Sequence, residues 1–144
     1  MIRLQLITLS GKIFDDDVYE VLLPTMSGQI GVLQNHMPLI SAATTGVISV
    51  RRTAKDTDAE MEHFATNGGV VDIVNNTLKV IVDEADHADD ISEAEAQAAF
   101  DRAQQMKAEA QDEISLEKAQ TLVDRSAVRL QVAGLKHRGS TRRR

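Results

Sequence analysis

The first 86 residues show the short apolar alternation that is typical of β-strands. The alternating positions are Ile2, Leu4 and Leu6 near the start and Leu78, Val80 and Val82 near the end. Three more stretches are rich in branched residues and bounded by turn-forming residues, namely 18–23, 46–51 and 69–74. Strand-prone stretches separated by turns at regular intervals predict a sandwich or flattened barrel of short antiparallel strands.

The clearest local signal in this region is a hairpin. Two β-prone runs, 70–74 and 77–82, are separated by Asn75-Asn76, and asparagine tolerates the positive φ angles of a two-residue turn. Thr45-Gly46 and Asn67-Gly68-Gly69 carry similar chemistry, and we expect turns there as well.

After Ala88 the pattern changes to a helical one, with no glycine or proline between Asp89 and Ala133. Ser92 and Glu95 have capping-box spacing, which predicts a helix start. Two stripes of mainly small residues follow at steps of three and four, and they predict helices over roughly 92–111 and 115–134. Ser115 is the expected cap of the second helix and Gly134 its expected stop. A single long helix is also compatible with the pattern.

The chain therefore divides into a β domain, residues 1–86, and a helical domain, residues 87–144. Charge is strongly polarised within the second: residues 87–117 hold 9 acids and 2 bases, and residues 118–144 hold 1 acid and 8 bases. Alanine stripes bury little apolar area, so we expect a detachable hairpin in which the acidic first helix lies against the basic second.

Candidate chemistry is sparse. The chain has no cysteine, and its four histidines show no close metal-ligand spacing. The acidic runs 15–17 and 86–90 are read as a surface turn and a linker rather than metal sites. No nucleophile motif or phosphate loop occurs, and a net charge of -6 argues against nucleic-acid binding. We therefore expect a protein that works through its surfaces, without catalytic residues, metal or cofactor.

One segment of the chain has a distinctive sequence. Residues 24–40 read PTMSGQIGVLQNHMPLI, which closely resembles the signature of F-type ATP synthase epsilon subunits, roughly G-E-I-G-V-L-P-x-H-A-P-L. Gln29 and Gln34 depart from the usual glutamate and proline. The resemblance implies an α+β protein, with an antiparallel β-sandwich of about ten strands followed by a two-helix hairpin. It also implies a non-catalytic rotor role beside the gamma subunit on the c-ring, peripherally at the cytoplasmic face of a bacterial membrane.

The resemblance also implies functional residues. In the family the signature loop faces the polar loops of the c-ring, so Gln29, Asn35, His36 and Met37 are the expected contact. The alternative is that His36 and Pro38 only shape a turn. The basic helix would brake ATP hydrolysis against acidic loops of the alpha/beta subunits when extended. Its bases are Lys118, Arg125, Arg129, Lys136, Arg138 and the terminal 142–144. The alternative is that these charges only solubilise the helix and match its partner.

Some bacterial members bind ATP through an Ile-Asp-x-x-Arg-Ala motif on the hairpin. Residues 91–96 align with it, but Ser92 replaces the aspartate and Glu95 replaces the arginine. A negative charge at that point would repel phosphate, so we expect no nucleotide binding of this kind. Two other classes remain open on the residues alone: a β-sandwich binding module with a helical dimerisation arm, and a metal-dependent enzyme.

Overall fold

The computed structural model describes residues 1–140, and the side chains of residues 1–135. Within that range, eight strands precede two helices. The strands are β1 (Ile2–Thr8), β2 (Gly11–Val18), β3 (Glu20–Thr25), β4 (Gly28–Leu33), β5 (Leu39–Arg51), β6 (Glu62–Val74), β7 (Thr77–Val82) and β8 (Ala85–His87). The helices are α1 (Glu93–Glu109) and α2 (Glu113–Ser140). Short 3₁₀ turns lie at Asp58–Glu60 and Ala88–Asp90. The predicted order of a β domain followed by two helices is confirmed.

The strands form one sheet in the order β2-β1-β7-β6-β5-β3-β4, and β8 also pairs with β6. Every neighbouring pair is antiparallel except β1 and β7, which are parallel, so the sheet is mixed rather than purely antiparallel. One apolar core collects residues from all eight strands, including Ile2, Val21, Val32, Ile73 and Ala85. Because both ends of the sheet contribute to this core, the sheet folds over itself as a sandwich.

Residues 1–140 contain eight strands where the family resemblance implied about ten, and two of the turns predicted from the sequence lie inside strands. Gly46 is within β5, and Gly68 and Gly69 are within β6. Leu22 and Thr25 of β3 are three positions apart, whereas their β5 partners, Ser49 and Ala43, are six apart. Extra residues therefore bulge from β5 around Gly46, so glycine distorts these paired strands without ending them.

The Asn75-Asn76 hairpin is confirmed. Both residues have positive φ angles, 51° and 55°, and they join β6 to β7 at the Val74–Thr77 pair. At the helical end, Ser92 also caps α1 as expected, because its side chain accepts a hydrogen bond from the backbone N–H of Glu95 at 3.3 Å. The turn type and the cap each follow from residues close in sequence, although the side chain of Asn76 is also hydrogen-bonded to the distant Asn35 and Met1.

Two expectations about α2 were wrong. Asp112, not Ser115, caps it, since Asp112 Oδ1 accepts a hydrogen bond from the Ser115 N–H at 2.7 Å. Gly134 does not end it either: the backbone there keeps a negative φ and the helix continues to Ser140. Glycine stops a helix only when it adopts a left-handed conformation, and inside a helix it costs about 1 kcal/mol relative to alanine. The extended conformation at Ala110 separates the helices, which pack against each other as a hairpin.

Candidate functional site

The β4–β5 loop, residues 34–38, is exposed but well anchored. Asn35 has a φ of 61°, and its N–H donates to Asn76 Oδ1 at 2.8 Å. His36 donates its Nδ1 proton to the carbonyl oxygen of Met37 at 2.7 Å. Met37 itself is 73% exposed. Asparagine accommodates this left-handed backbone, so Asn35 and His36 shape the turn while Met37 is presented to the outside.

Gln29 lies elsewhere. It pairs with Pro24 near the start of β4, beside the β3–β4 turn that Thr25 closes through a 2.6 Å hydrogen bond to the carbonyl of Gly28. From Gln29 to Leu33 the extended strand covers about 13 Å before the other loop begins. The structure therefore brings Asn35, His36 and Met37 together but places Gln29 at the opposite end of β4.

An exposed apolar patch on the outer face of the sheet was missed. Ile40 is 76% exposed, and Val70 and Ile81, which are direct partners on β6 and β7, are 45% and 47% exposed. We call these three residues the outer patch. Its signal in the sequence is the interruption of alternation at 39–40, 70–71 and 81–82, where consecutive apolar residues point to opposite faces.

The predicted basic residues of α2 also differ in their surroundings. Lys118 is exposed near the start of the helix. Arg125 forms an ion pair with Glu84, and Arg129 forms one with Asp86. The side chains of Lys136 and Arg138, and residues 142–144, lie outside the described residues. The expectation that the basic helix pairs with α1 is not met by Arg125 and Arg129, because their carboxylate partners belong to the β domain. The sequence analysis missed Glu84 and interpreted Asp86 as part of a linker.

The degenerate nucleotide motif faces an open cavity of about 420 Å³. Glu95, Arg102 and Arg129 line it, and Ser92 is occupied in capping α1. One acidic residue and two basic residues therefore line the same cavity, and the guanidinium group of Arg129 is paired with Asp86. Arg102 is a further basic residue that the sequence analysis overlooked.

Ser49 and His63 form a pair that resembles a nucleophile and its base. Ser49 Oγ and His63 Nδ1 share a hydrogen bond of 2.8 Å, and burial, together with the nearby His87, lowers the pKa of His63. Ser49 is itself buried, and in residues 1–135 no carboxylate hydrogen bond to His63 is found. The pair is a cross-strand contact within the β5–β6 ladder. Across the described residues, no three histidine or carboxylate side chains converge as a metal site requires. None of the described helices has the length and apolarity needed to cross a membrane.

Comparison with known families agrees with this architecture. The family model for the β-sandwich domain of the ATP synthase delta/epsilon chain matches residues 1–88, and the model for its long α-helix domain matches residues 89–134. The chain therefore belongs to the ATP synthase delta/epsilon chain family, whose members are non-catalytic subunits of that complex.

Within the family the similar curated proteins are epsilon chains. The ATP synthase epsilon chain of Gloeobacter violaceus is 35% identical over 133 residues, which cover 92% of this chain and 97% of the relative. That of Lactobacillus delbrueckii is 32% identical over 141 residues and covers 96% of both. This assignment replaces the binding-module and metal-enzyme alternatives.

Solved structures show the same fold. A chain in the Euglena gracilis mitochondrial ATP synthase (OSCP/F1/c-ring, rotational state 1) superposes with a TM-score of 0.77 at 18% identity, covering 92% of this chain and 80% of that one. A chain of the Tetrahymena thermophila central stalk/c-ring superposes with a TM-score of 0.58 at 17% identity, covering 92% and 95%.

Proposed function

We propose that this chain is a rotor subunit of a proton-translocating ATP synthase, in which the β domain couples the c-ring to the gamma subunit and the helices restrain ATP hydrolysis. The observation that carries the proposal is the family match over both domains, supported by epsilon-chain relatives covered almost end to end. We assign assembly to the β domain, residues 1–86, and regulation to the helices that follow it.

The outer patch is the proposed gamma contact. Its three members are apolar and lie on strands paired on both sides, with Asp72 directly opposite Ile40. Their exposed side chains would gain from burial against a partner. Ile40→Asp should therefore weaken co-purification with gamma. Ile13→Asp is the matched control, because Ile13 is also exposed but lies on the edge strand β2. Equal loss with both variants would contradict the assignment.

Gln29, Asn35, His36 and Met37 are the proposed c-ring contact, now as two separate groups. The chain has no cysteine, so single variants Gln29→Cys and Met37→Cys give unambiguous crosslinks to a cysteine placed in the polar loop of the c subunit. Crosslinking from both positions supports the full set. Crosslinking from Gln29 alone leaves Asn35 and His36 as residues that shape a turn.

The basic helix is the proposed brake. Lys118, Arg125, Arg129, Lys136 and Arg138 would pair with acidic loops of the alpha/beta subunits when the helices extend. Truncation after Glu113 should then raise ATP hydrolysis by the assembled enzyme and leave its assembly intact. Added salt should reduce inhibition in the full-length enzyme, because exposed ion pairs are screened. Unchanged hydrolysis after truncation would contradict the brake.

We also propose a peripheral position on the cytoplasmic face of a bacterial membrane, held there only through the complex. Protease added to inverted membrane vesicles should digest the chain, and protease added to right-side-out vesicles should leave it intact. Release of the chain by removal of the F1 sector would support peripheral attachment.

A further inference from the structure

The contact between α2 and the β domain contains two parallel ion pairs. On α2, Arg125 and Arg129 are separated by four positions, so they share one helix face about 6 Å apart along the axis. On the β domain, Glu84 and Asp86 are two positions apart, which in extended backbone spans about 6.6 Å. The two spacings match, so both pairs form together when the helix lies along this segment.

The two carboxylates are held in place by their backbone. The N–H of Glu84 donates to Asn67 Oδ1 at 3.1 Å, and Asp86 pairs with Ala65 between β8 and β6. The cavity that remains between these residues and α2 is about 10 Å³, room for about one water molecule. Both arginines are therefore engaged on the surface that faces the β domain.

The apolar part of the same contact is small. Four of its six buried residues are alanines, and the buried set is Ala65, Ala88, Ile91, Ala96, Val132 and Ala133. The larger side chains of Val47, Val128 and Leu130 pack against this set and are only partly buried. Alanine buries little area, so the apolar gain from docking is modest. The two ion pairs add to this apolar contact and fix where the helix lies along the segment, although their partly exposed side chains keep each pair weak.

We propose that Glu84 and Asp86 form an intramolecular latch that competes with the brake for Arg125 and Arg129. The inference rests on the proposed function only where it concerns inhibition. While the latch is closed, the guanidinium groups of these arginines are paired with Glu84 and Asp86, so an external acidic surface must displace those carboxylates to bind them. The latch carboxylates thus set how often the helical hairpin leaves the β domain, and they oppose inhibition although they never touch the inhibited subunits.

The latch itself is tested on the isolated full chain by amide hydrogen exchange. An undocked helix loses its tertiary support and exchanges faster. Glu84→Gln/Asp86→Asn should speed exchange over residues 119–133 by about two- to thirtyfold, the range expected for two partly exposed ion pairs. Asp83→Asn/Asp90→Asn removes the same charge from neighbouring residues that have no ion pair to the described part of α2, and it should leave exchange unchanged.

Swapping the two charges of one pair distinguishes loss of the ion pair from a general loss of stability. Glu84→Arg/Arg125→Glu restores one pair with reversed polarity, so it should recover protection that Glu84→Arg alone loses. The latch would be overturned if amide exchange were equally fast in Glu84→Gln/Asp86→Asn and in the Asp83→Asn/Asp90→Asn control. It would also be overturned if Glu84→Arg/Arg125→Glu recovered no protection relative to Glu84→Arg.

ATP hydrolysis by the assembled enzyme distinguishes the latch from the brake. The Glu84→Gln/Asp86→Asn enzyme should hydrolyse ATP more slowly than the parent, and its activity should rise more steeply with salt, because only the brake remains to be screened. If truncation after Glu113 raises hydrolysis while the latch variant matches its control, the latch is wrong and the brake stands. If truncation has no effect, the brake is wrong and the exchange experiment still decides the latch.

Discussion

Gly46 leaves room for the ring of Pro24. A Cβ atom on Gly46 would lie 2.7 Å from Cβ and 2.9 Å from Cγ of Pro24, closer than carbon atoms approach in folded proteins. Gly46 lies in β5 where that strand bulges against β3, and Pro24 belongs to β3. Because the proline ring is bonded to its own backbone, it cannot rotate away from an added methyl group.

Gly46→Ala should therefore destabilise the protein by about 1–3 kcal/mol, the usual cost of adding a methyl group to a filled space. Gly31→Ala is the matched control, since its Cβ would meet Leu22 Cδ2 at an ordinary 3.5 Å. Urea unfolding of the two variants and the parent provides the measurement. A Gly46→Ala variant as stable as Gly31→Ala would show that β3 moves aside.

How much the sequence can predict depends on whether a feature is local. The Asn75-Asn76 turn and the Ser92 cap were predicted correctly because neighbouring residues determine both. Gly46 has the chemistry of a turn residue, yet whether the chain turns there depends on Pro24 in another strand.

In the candidate site, too, the arrangement depends on residues that are far apart in sequence or in space. Gln29 and His36 are close in sequence, but an extended strand between them carries them apart. The pairing of Arg125 with Glu84 joins residues 41 positions apart, and composition cannot indicate such a pair. The family signature reveals which surfaces matter without revealing how they are arranged.

Residues 1–86 should fold alone and still bind gamma, because the main core is built almost entirely from β1–β8. The structure adds a refinement: the His87 ring packs edge-on against Phe64, with 5.0 Å between ring centroids. A 1–88 fragment should thus be more stable than the 1–86 fragment by about 0.5–1.5 kcal/mol. Circular dichroism during urea unfolding checks folding, and co-purification checks binding. An unfolded 1–88 fragment would contradict an independent β domain.

His63 should make the protein less stable in mild acid. Burial lowers its pKa in the folded protein below the usual 6.5, so the unfolded chain binds a proton more readily. Stability therefore falls as the pH drops past 6.5 and stops falling once the pH is below the folded pKa. His63→Gln should reduce the difference in urea midpoint between pH 8 and pH 5.5, whereas His36→Gln on the β4–β5 loop serves as the control. An unchanged difference in His63→Gln would assign the acid sensitivity to another group.

ATP at millimolar concentration should not stabilise the isolated chain. Glu95 lines the same cavity as Arg102 and Arg129, and Arg129 is already paired with Asp86, so an incoming phosphate would meet a carboxylate with only part of the positive charge free. Ser92→Asp/Glu95→Arg should create a measurable rise in the thermal midpoint with ATP, because bound ligand stabilises the folded state by mass action. Aspartate caps helices as well as serine does, so Ser92→Asp keeps the start of α1 intact. Glu95→Gln, which removes the repulsion without adding a cation, should give a smaller shift than the double variant. A clear ATP-dependent shift in the unmodified chain would show that Arg102 and Arg129 overcome the charge of Glu95.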